Sequence, residues 1–337
     1  MKLDELYSEV DDKAVCYGYT IRDGFVFTSF TKPLRVFDAI VIRQATKTPG
    51  DSFGYPNSLH SLEEHIALIN EFKIEKAVIL AESLDFIELC PTLVHLRIIP
   101  AHSAGNKFDY SPLYKKPLVK SLGCLTKYGV KQCYNTTIEC DKINGLEEIV
   151  VTNSNFKNYE KIKTLKSIEF ENFTESDLNN AFGSDILDTI YLCKCKIESL
   201  DGIEKSKKMQ CLYLYYHRKL RDINALKKVK NTLKTLRIEN CPKIEDFSVL
   251  GELDNLELLE LKGSNKIPSL DFLRKMKNLK TFLFNMEIED GDLSPCLNLS
   301  YVYSSKNRKY YNLKDKDLPK LKYVRGNESI DVWRQYD

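Results

Sequence analysis

The feature that most constrains this chain is a spacing. Apolar residues in the pattern L-x-x-L-x-L begin at Leu146, Leu165, Leu187, Met209, Leu233, Leu256, Leu279, Leu299 and Leu321. The steps between them are 19, 22, 22, 24, 23, 23, 20 and 22 residues. Looser copies precede these at Ile74 (with Ala77 and Ile79), Leu93 (with Leu96 and Ile98) and Val119 (with Leu122 and Cys124). Alternation within each copy marks a short strand with one buried face. A second spacing follows each strand: Ile197, Leu200 and Ile203; Leu220, Ile223 and Leu226; Ile244, Phe247 and Leu250; Ile267, Leu270 and Leu273. A period of three suits a 3₁₀ turn with one apolar side. No such unit can bury its apolar face alone, so the units must stack into a solenoid with a parallel sheet.

A period of 20 to 29 residues with this pattern is a leucine-rich-repeat signature. The repeats resemble the 22-residue class of bacterial internalins and of a eukaryotic phosphatase regulator, well over residues 146–326 and loosely over 74–145. The resemblance implies an α/β solenoid with a parallel β-sheet on its concave face, short 3₁₀ or helical turns on its convex face, and an N-terminal β-hairpin and helix cap. The sequence departs from the class at the slot usually held by Asn, which here reads Ser154, Phe173, Cys195, His217, Cys241, Ser264, Glu287 and Asn307.

The leading residues do not repeat. YTIRDGFVFTSF carries two β-rich runs around Asp23-Gly24, a hairpin signal. FDAIVIRQA reads as a third strand, and TKTPGDSFGYPNS as a loop. Ser61 and Glu64 then form a capping box before the amphipathic helix LEEHIALINEF. SIDVWRQYD, with the single tryptophan Trp333, reads as a closing helix. The expected organisation is an N-terminal cap at 1–73, a solenoid at 74–326 and a C-terminal cap at 327–337, forming one continuous unit.

Three thiols, Cys193, Cys195 and Cys211, lie within 19 residues and raise the possibility of a metal site. The repeat register separates them: Cys195 falls in the inward slot, and Cys193 and Cys211 in different outward columns. No metal or other cofactor is expected. His60, His65, His95, His102 and His217 are scattered, and no P-loop, G-x-G-x-x-G, G-x-S-x-G, H-E-x-x-H or C-x-D nucleophile motif occurs. The reading is therefore non-catalytic. Net charge is only +2, with no apolar run long enough to span a bilayer and no visible signal peptide, so a cytoplasmic protein without membrane association is expected.

Outward strand positions align in columns across the concave face. Tyr191, Tyr213 and Tyr215, with adjacent Tyr216, form an expected aromatic cluster, flanked by Glu169 and Glu171 on one side and Arg237, Glu239, Glu260 and Lys262 on the other. Tyrosine and arginine anchor protein interfaces, so these ten residues are the candidate partner-binding site of a protein-interaction module, with a monomer favoured. Outward side chains, Leu258 and Tyr213 among them, are expected to contribute little to stability, whereas Leu236 is expected in the core. The resemblance extends to cytosolic stand-alone leucine-rich-repeat proteins of Gram-positive bacteria and implies a toxin-neutralising immunity role. The alternative is a regulatory or scaffold subunit of an endogenous enzyme. A run of basic residues (Lys306, Arg308, Lys309, Lys314, Lys316, Lys320, Lys322 and Arg325) reads as a solvated edge; nucleic-acid binding there is the weaker alternative.

Overall fold

Two apolar residues separated by one polar residue reach the same interior only when the backbone is extended, which is what each repeat adopts. The computed structural model describes residues 61–101, 108–124, 137–151 and 155–320, together with strands at 19–22, 25–28 and 39–43. The Asp23-Gly24 turn, the loop before Ser61, the repeat from Leu321 and the closing helix with Trp333 lie outside the described residues. The backbone falls into two compact units, one ending at Tyr159 and one beginning at Glu160.

In the first unit, strands β1 (Tyr19–Arg22) and β2 (Phe25–Thr28) pair antiparallel with Arg22 opposite Phe25, the register of the expected hairpin. β2 pairs antiparallel with β3 (Ala39–Arg43). β3 then pairs in parallel with β4 (Lys76–Ala81), so the parallel sheet starts inside the segment read as a cap. Helix α1 (Leu62–Phe72) has the capping box: Ser61 Oγ accepts from the Glu64 amide, and Glu64 accepts from the Ser61 amide at 2.7 Å. α1 ends at Lys73 in the left-handed region, and Ile74 leads into β4. β5 (His95–Pro100), β6 (Ser121–Cys124) and β8 (Glu148–Val151) continue in parallel. Short strands β7 (Ile138–Glu139) and β9 (Phe156–Lys157) pair beside them. The loose early copies are thus structural repeats: Ile74, Ala77, Ile79, Leu93, Leu96, Ile98, Val119, Leu122 and Cys124 are all buried.

In the second unit, seven strands run parallel: β10 (Ser167–Glu171), β11 (Thr189–Cys193), β12 (Cys211–Tyr215), β13 (Thr235–Glu239), β14 (Leu258–Lys262), β16 (Thr281–Phe284) and β18 (Tyr301–Ser304). A two-residue pair, β15 (Lys266–Ile267) and β17 (Glu287–Ile288), lies between repeats. The register offset equals the sequence period: Ile190 stands beside Leu212, which stands beside Leu236. The inward residues Ile168, Phe170, Ile190, Leu192, Leu212, Leu214, Leu236, Ile238, Leu259, Leu261, Phe282 and Phe284 are buried. Each such side chain contributes about 1.5–3 kcal/mol relative to exposure. The period-three residues form 3₁₀ turns, among them Asn224–Val229, Ser248–Glu252 and Asp271–Lys275, and bury their apolar side against the sheet. This is a leucine-rich-repeat solenoid.

The slot usually held by Asn is filled by other chemistry. Its task is to satisfy strand carbonyls of the preceding repeat, since a buried carbonyl without a donor is costly. Cys195 Sγ reaches Phe170 O at 3.6 Å, His217 Nε2 reaches Leu192 O at 3.0 Å, and Cys241 Sγ reaches Leu214 O at 3.8 Å. In the next repeat the slot is one residue later than the spacing indicates. Asn265, not Ser264, donates to Cys241 O and Ile244 O, while Ser264 is exposed. Glu287 is not a ladder residue either: it pairs with Arg308 at 3.0 Å and accepts from the Tyr310 hydroxyl.

After β10, β11, β12 and β13 the chain turns through a left-handed residue: Asn172, Lys194, Tyr216 and Asn240 have φ of 54–61°. Each amide at these positions donates to the strand-end carbonyl of the following repeat, Cys193, Tyr215, Glu239 and Lys262 respectively. The last described strand, β18, makes hydrogen bonds with the segment that follows it. Pro319 O accepts from the Val302 amide, Asp315 accepts from the Ser304 amide, and Lys320 Nζ donates to Val302 O.

Candidate functional site

The open face of the second unit carries the outward columns. Their middle column runs Glu169, Tyr191, Tyr213, Arg237, Glu260, Leu283, Tyr303 in register. Strand spacing of about 4.8 Å places neighbouring side chains within stacking reach, and the rings of Tyr191 and Tyr213 lie 4.1 Å apart and 3° from parallel. Tyr215, two residues on, lies 6.3 Å from Tyr213. The Arg237 guanidinium sits 5.6 Å from the Tyr213 ring centre, a cation–π distance. Its Nε faces Glu260 at 3.4 Å, and Lys262 pairs with the other Glu260 oxygen.

This face is drier than an exposed sheet surface. Tyr213 is 6% exposed and Glu260 3%. Leu258 stands in the outward column between Thr235 and Thr281, yet is 3% exposed. That corrects the expectation that outward positions contribute little. Leu258 is covered although its neighbours in register are threonines, so direction along the strand does not decide burial here. Arg237 likewise belongs to the stability of the face, because it answers a buried carboxylate.

Burial sets the protonation of the cluster. It raises the Tyr191 hydroxyl and, with Tyr191 beside it, raises Tyr213 further. Tyr215 is pushed up to about 12 by burial. The phenols are therefore neutral donors at physiological pH. Glu171 is raised by burial. Cys193 is raised to about 11, first by burial and then by the carboxylates of Glu171 and Glu169, so its thiol is protonated and weakly nucleophilic. Glu169 and Glu171 bound the tyrosines on one side, and Glu239 and Lys262 end β13 and β14 on the other.

One expected member leaves the cluster. Tyr216 is the left-handed residue after β12, 47% exposed, and its hydroxyl donates to Glu239 Oε1 at 3.1 Å rather than joining the stack. The three close thiols diverge: Cys193 aligns with Tyr215, Cys211 aligns with Thr189, and Cys195 points into the ladder. Among the described residues, no three His, Cys, Asp or Glu side chains are placed to hold a metal ion, and no helix is long and apolar enough to cross a membrane.

The basic run is not simply solvated. Lys314 Nζ donates to the carbonyls of Arg308, Lys309 and Tyr311, Arg308 pairs with Glu287, and Lys320 pairs with Asp315. Lys320 also lies 5.8 and 5.7 Å from the rings of Tyr301 and Tyr303. Lys322 and Arg325 lie outside the described residues.

Sequence reasoning missed a groove of about 630 Å³ at the strand ends, lined by Lys194, Lys196, Tyr216, Arg218, Lys219 and Asn240 among others. Its cations are spread over two repeats, and only the left-handed turns gather them at one place. The recurrence of Asn172 and Asn240 at equivalent positions was the available sign of those turns.

No family model matches the chain, and no curated protein matches it. Among solved structures, an internalin of Listeria monocytogenes strain 4b F2365 is similar, with 18% identity and a TM-score of 0.48 over 70% of this chain and 67% of that one. A plant peptide hormone receptor, RGFR1 in complex with RGF2, is similar at 14% identity and a TM-score of 0.33, over 68% of this chain and 47% of that one.

Proposed function

We propose that this chain is a non-catalytic module that binds a partner protein on the open, concave face of its second unit. The observation that carries this reading is the Tyr191–Tyr213–Arg237 stack, an ordered aromatic and guanidinium surface bordered by charge. Rigid rings offer large contact area at low entropic cost, and tyrosine and arginine dominate interface hot spots. Glu169, Glu171, Tyr215, Glu239 and Lys262 surround the stack and supply its polar rim, and buried Glu260 holds Arg237 in place beneath it. Tyr216 belongs to the edge of the interface rather than its centre. The eight free cysteines among the described residues are what a reducing compartment would maintain, which supports a cytoplasmic site of action.

Within this reading the partner is a toxin that the module neutralises; a regulatory or scaffold role toward an endogenous enzyme is the alternative. The test is capture of the partner from the native host, followed by affinity measurements on Tyr191→Ala and Arg237→Lys variants whose melting curves match wild type. Tyr191→Ala should weaken binding by on the order of 2 kcal/mol, about thirtyfold. Unchanged affinity in both variants would remove the open face as the interface. A captured protein that kills cells when expressed without the module supports immunity, and a harmless enzyme supports regulation.

A further inference from the structure

We infer that the groove at the strand ends is a docking site for an acidic segment of the partner protein, beside the tyrosine face. The inference rests on the protein-binding reading for the kind of partner, and on the groove's own geometry for the chemistry.

The groove spans loops of four successive repeats. Lys194 and Lys196 come from the first, Tyr216, Arg218 and Lys219 from the second, Asn240 and Pro242 from the third, and Ser264 from the fourth. Four of its lining side chains are cationic and none is a carboxylate. The whole chain carries only +2, so this is a local concentration of charge rather than a general one. Lys196 and Arg218 are exposed, Lys219 is exposed and pairs with Glu198 at 3.4 Å, and Lys194 is half-buried. Like charges held by folded loops repel one another, and a bound anion relieves that repulsion. Arg218 adds the fork geometry that takes a carboxylate with two hydrogen bonds.

The backbone explains why the cations meet. The left-handed turns at Lys194 and Tyr216 set the following residues of adjacent repeats side by side. Four loops about 4.8 Å apart span on the order of 14 Å, the length of four or five extended residues. That favours a peptide strand over a single small anion. The lining disfavours a nucleic-acid track: Tyr216 is the one aromatic side chain in it, so a single strand would lack the run of stacking rings that such strands use. The exposed ring of Tyr216 stands where the groove meets the end of β12, next in sequence to Tyr215, so one partner can occupy both surfaces.

The probe is a fluorescein-labelled, N-acetylated pentaglutamate peptide, followed by fluorescence anisotropy on the full chain. Pentaglutamine and an oligothymidylate with five phosphates serve as comparisons. Pentaglutamate should bind, weaken as salt rises from 50 to 500 mM, and lose at least tenfold in affinity in the Lys196→Gln/Arg218→Gln double variant. Both substitutions are at exposed positions, and matched melting curves check the fold. Tyr191→Ala should leave peptide binding unchanged, which separates this site from the tyrosine face. Equal binding of pentaglutamate to wild type and the double variant, or no binding at all, overturns the groove assignment. It leaves the Tyr191 dependence of partner capture to stand or fall by itself. Tighter binding of the oligothymidylate than of pentaglutamate also overturns it, in favour of nucleic acid.

Discussion

Tyr191 and Tyr213 occupy equivalent positions on neighbouring parallel strands, and their rings stack at 4.1 Å. Stacking at this distance contributes about 0.5–1.5 kcal/mol beyond the area buried. A double-mutant cycle on Tyr191→Ala and Tyr213→Ala, read by urea denaturation, should return a coupling energy in that range. Additive losses would show that the rings merely lie side by side. Tyr213→Ala alone should be the more damaging of the two, because Tyr213 is buried and Tyr191 is half-exposed.

Arg237 and Glu260 form the second coupled pair. Removing the guanidinium leaves a buried carboxylate with Lys262 as its remaining cation. Breaking a buried pair from one side costs up to about 3–5 kcal/mol, and the surviving lysine reduces that figure. Arg237→Ala should therefore destabilise by about 2 kcal/mol. Adding Glu260→Gln should recover part of the loss. A double variant less stable than Arg237→Ala would mean the carboxylate is not the source of the cost.

Leu236→Ala and Leu258→Ala should both be expensive, at about 2–5 kcal/mol each, although the two side chains point to opposite faces of the sheet. Chemical denaturation distinguishes this from the simpler view that only the inward face matters, in which Leu258→Ala would be nearly silent.

Lys314→Ala should lower the melting temperature measurably, since the ammonium group gathers three carbonyls of residues 308–311. Lys316→Ala, at an exposed position, should not. Equal melting curves for the two would return the basic run to a solvated edge.

His217 gives the fold a pH dependence. Burial lowers its pKa from the ordinary 6.5, so the folded state keeps it neutral where the unfolded chain takes up a proton. Stability is then full above about pH 6.5 and falls as pH drops from there toward the depressed folded value. The carbonyls of Leu192 and Cys195 at 3.0 and 3.3 Å oppose this shift but do not reverse it. His95 is lowered in the same direction, again mainly by burial. The pH slope of unfolding free energy between pH 7 and 5 should therefore shrink in His217→Gln without vanishing. An unchanged slope would assign the effect elsewhere.

The fold was legible because its signal is periodic. Leu187, Ile190 and Leu192 recur as Met209, Leu212 and Leu214, and the strands pair at that offset. Burial is harder to read where it depends on neighbours from other repeats. Tyr213 is flanked by Tyr191 and Arg237, 22 and 24 residues away, and Leu258 is buried at an outward position; alternation along one strand carries no record of either. The ladder was half legible: Cys195 and Cys241 fell in the inward slot, but the one-residue shift at Asn265 comes from a local change in loop length that spacing averages away. The bonds that Asp315 and Pro319 make to β18 left no pattern, since among the described residues they occur once.

The ladder has one more consequence. Its rungs are a thiol, an imidazole, a thiol and a carboxamide, at Cys195, His217, Cys241 and Asn265. They differ in reach: each thiol lies against one carbonyl of the preceding repeat and one of its own, whereas the imidazole and the carboxamide each lie against two of the preceding repeat. A stack of identical rungs could slide by one whole unit and still satisfy every carbonyl. Here such a slide would set a thiol against oxygens spaced for an imidazole, and strand it. The mixed rungs give each repeat a serial position, so the order of stacking is written into side chains buried between the repeats.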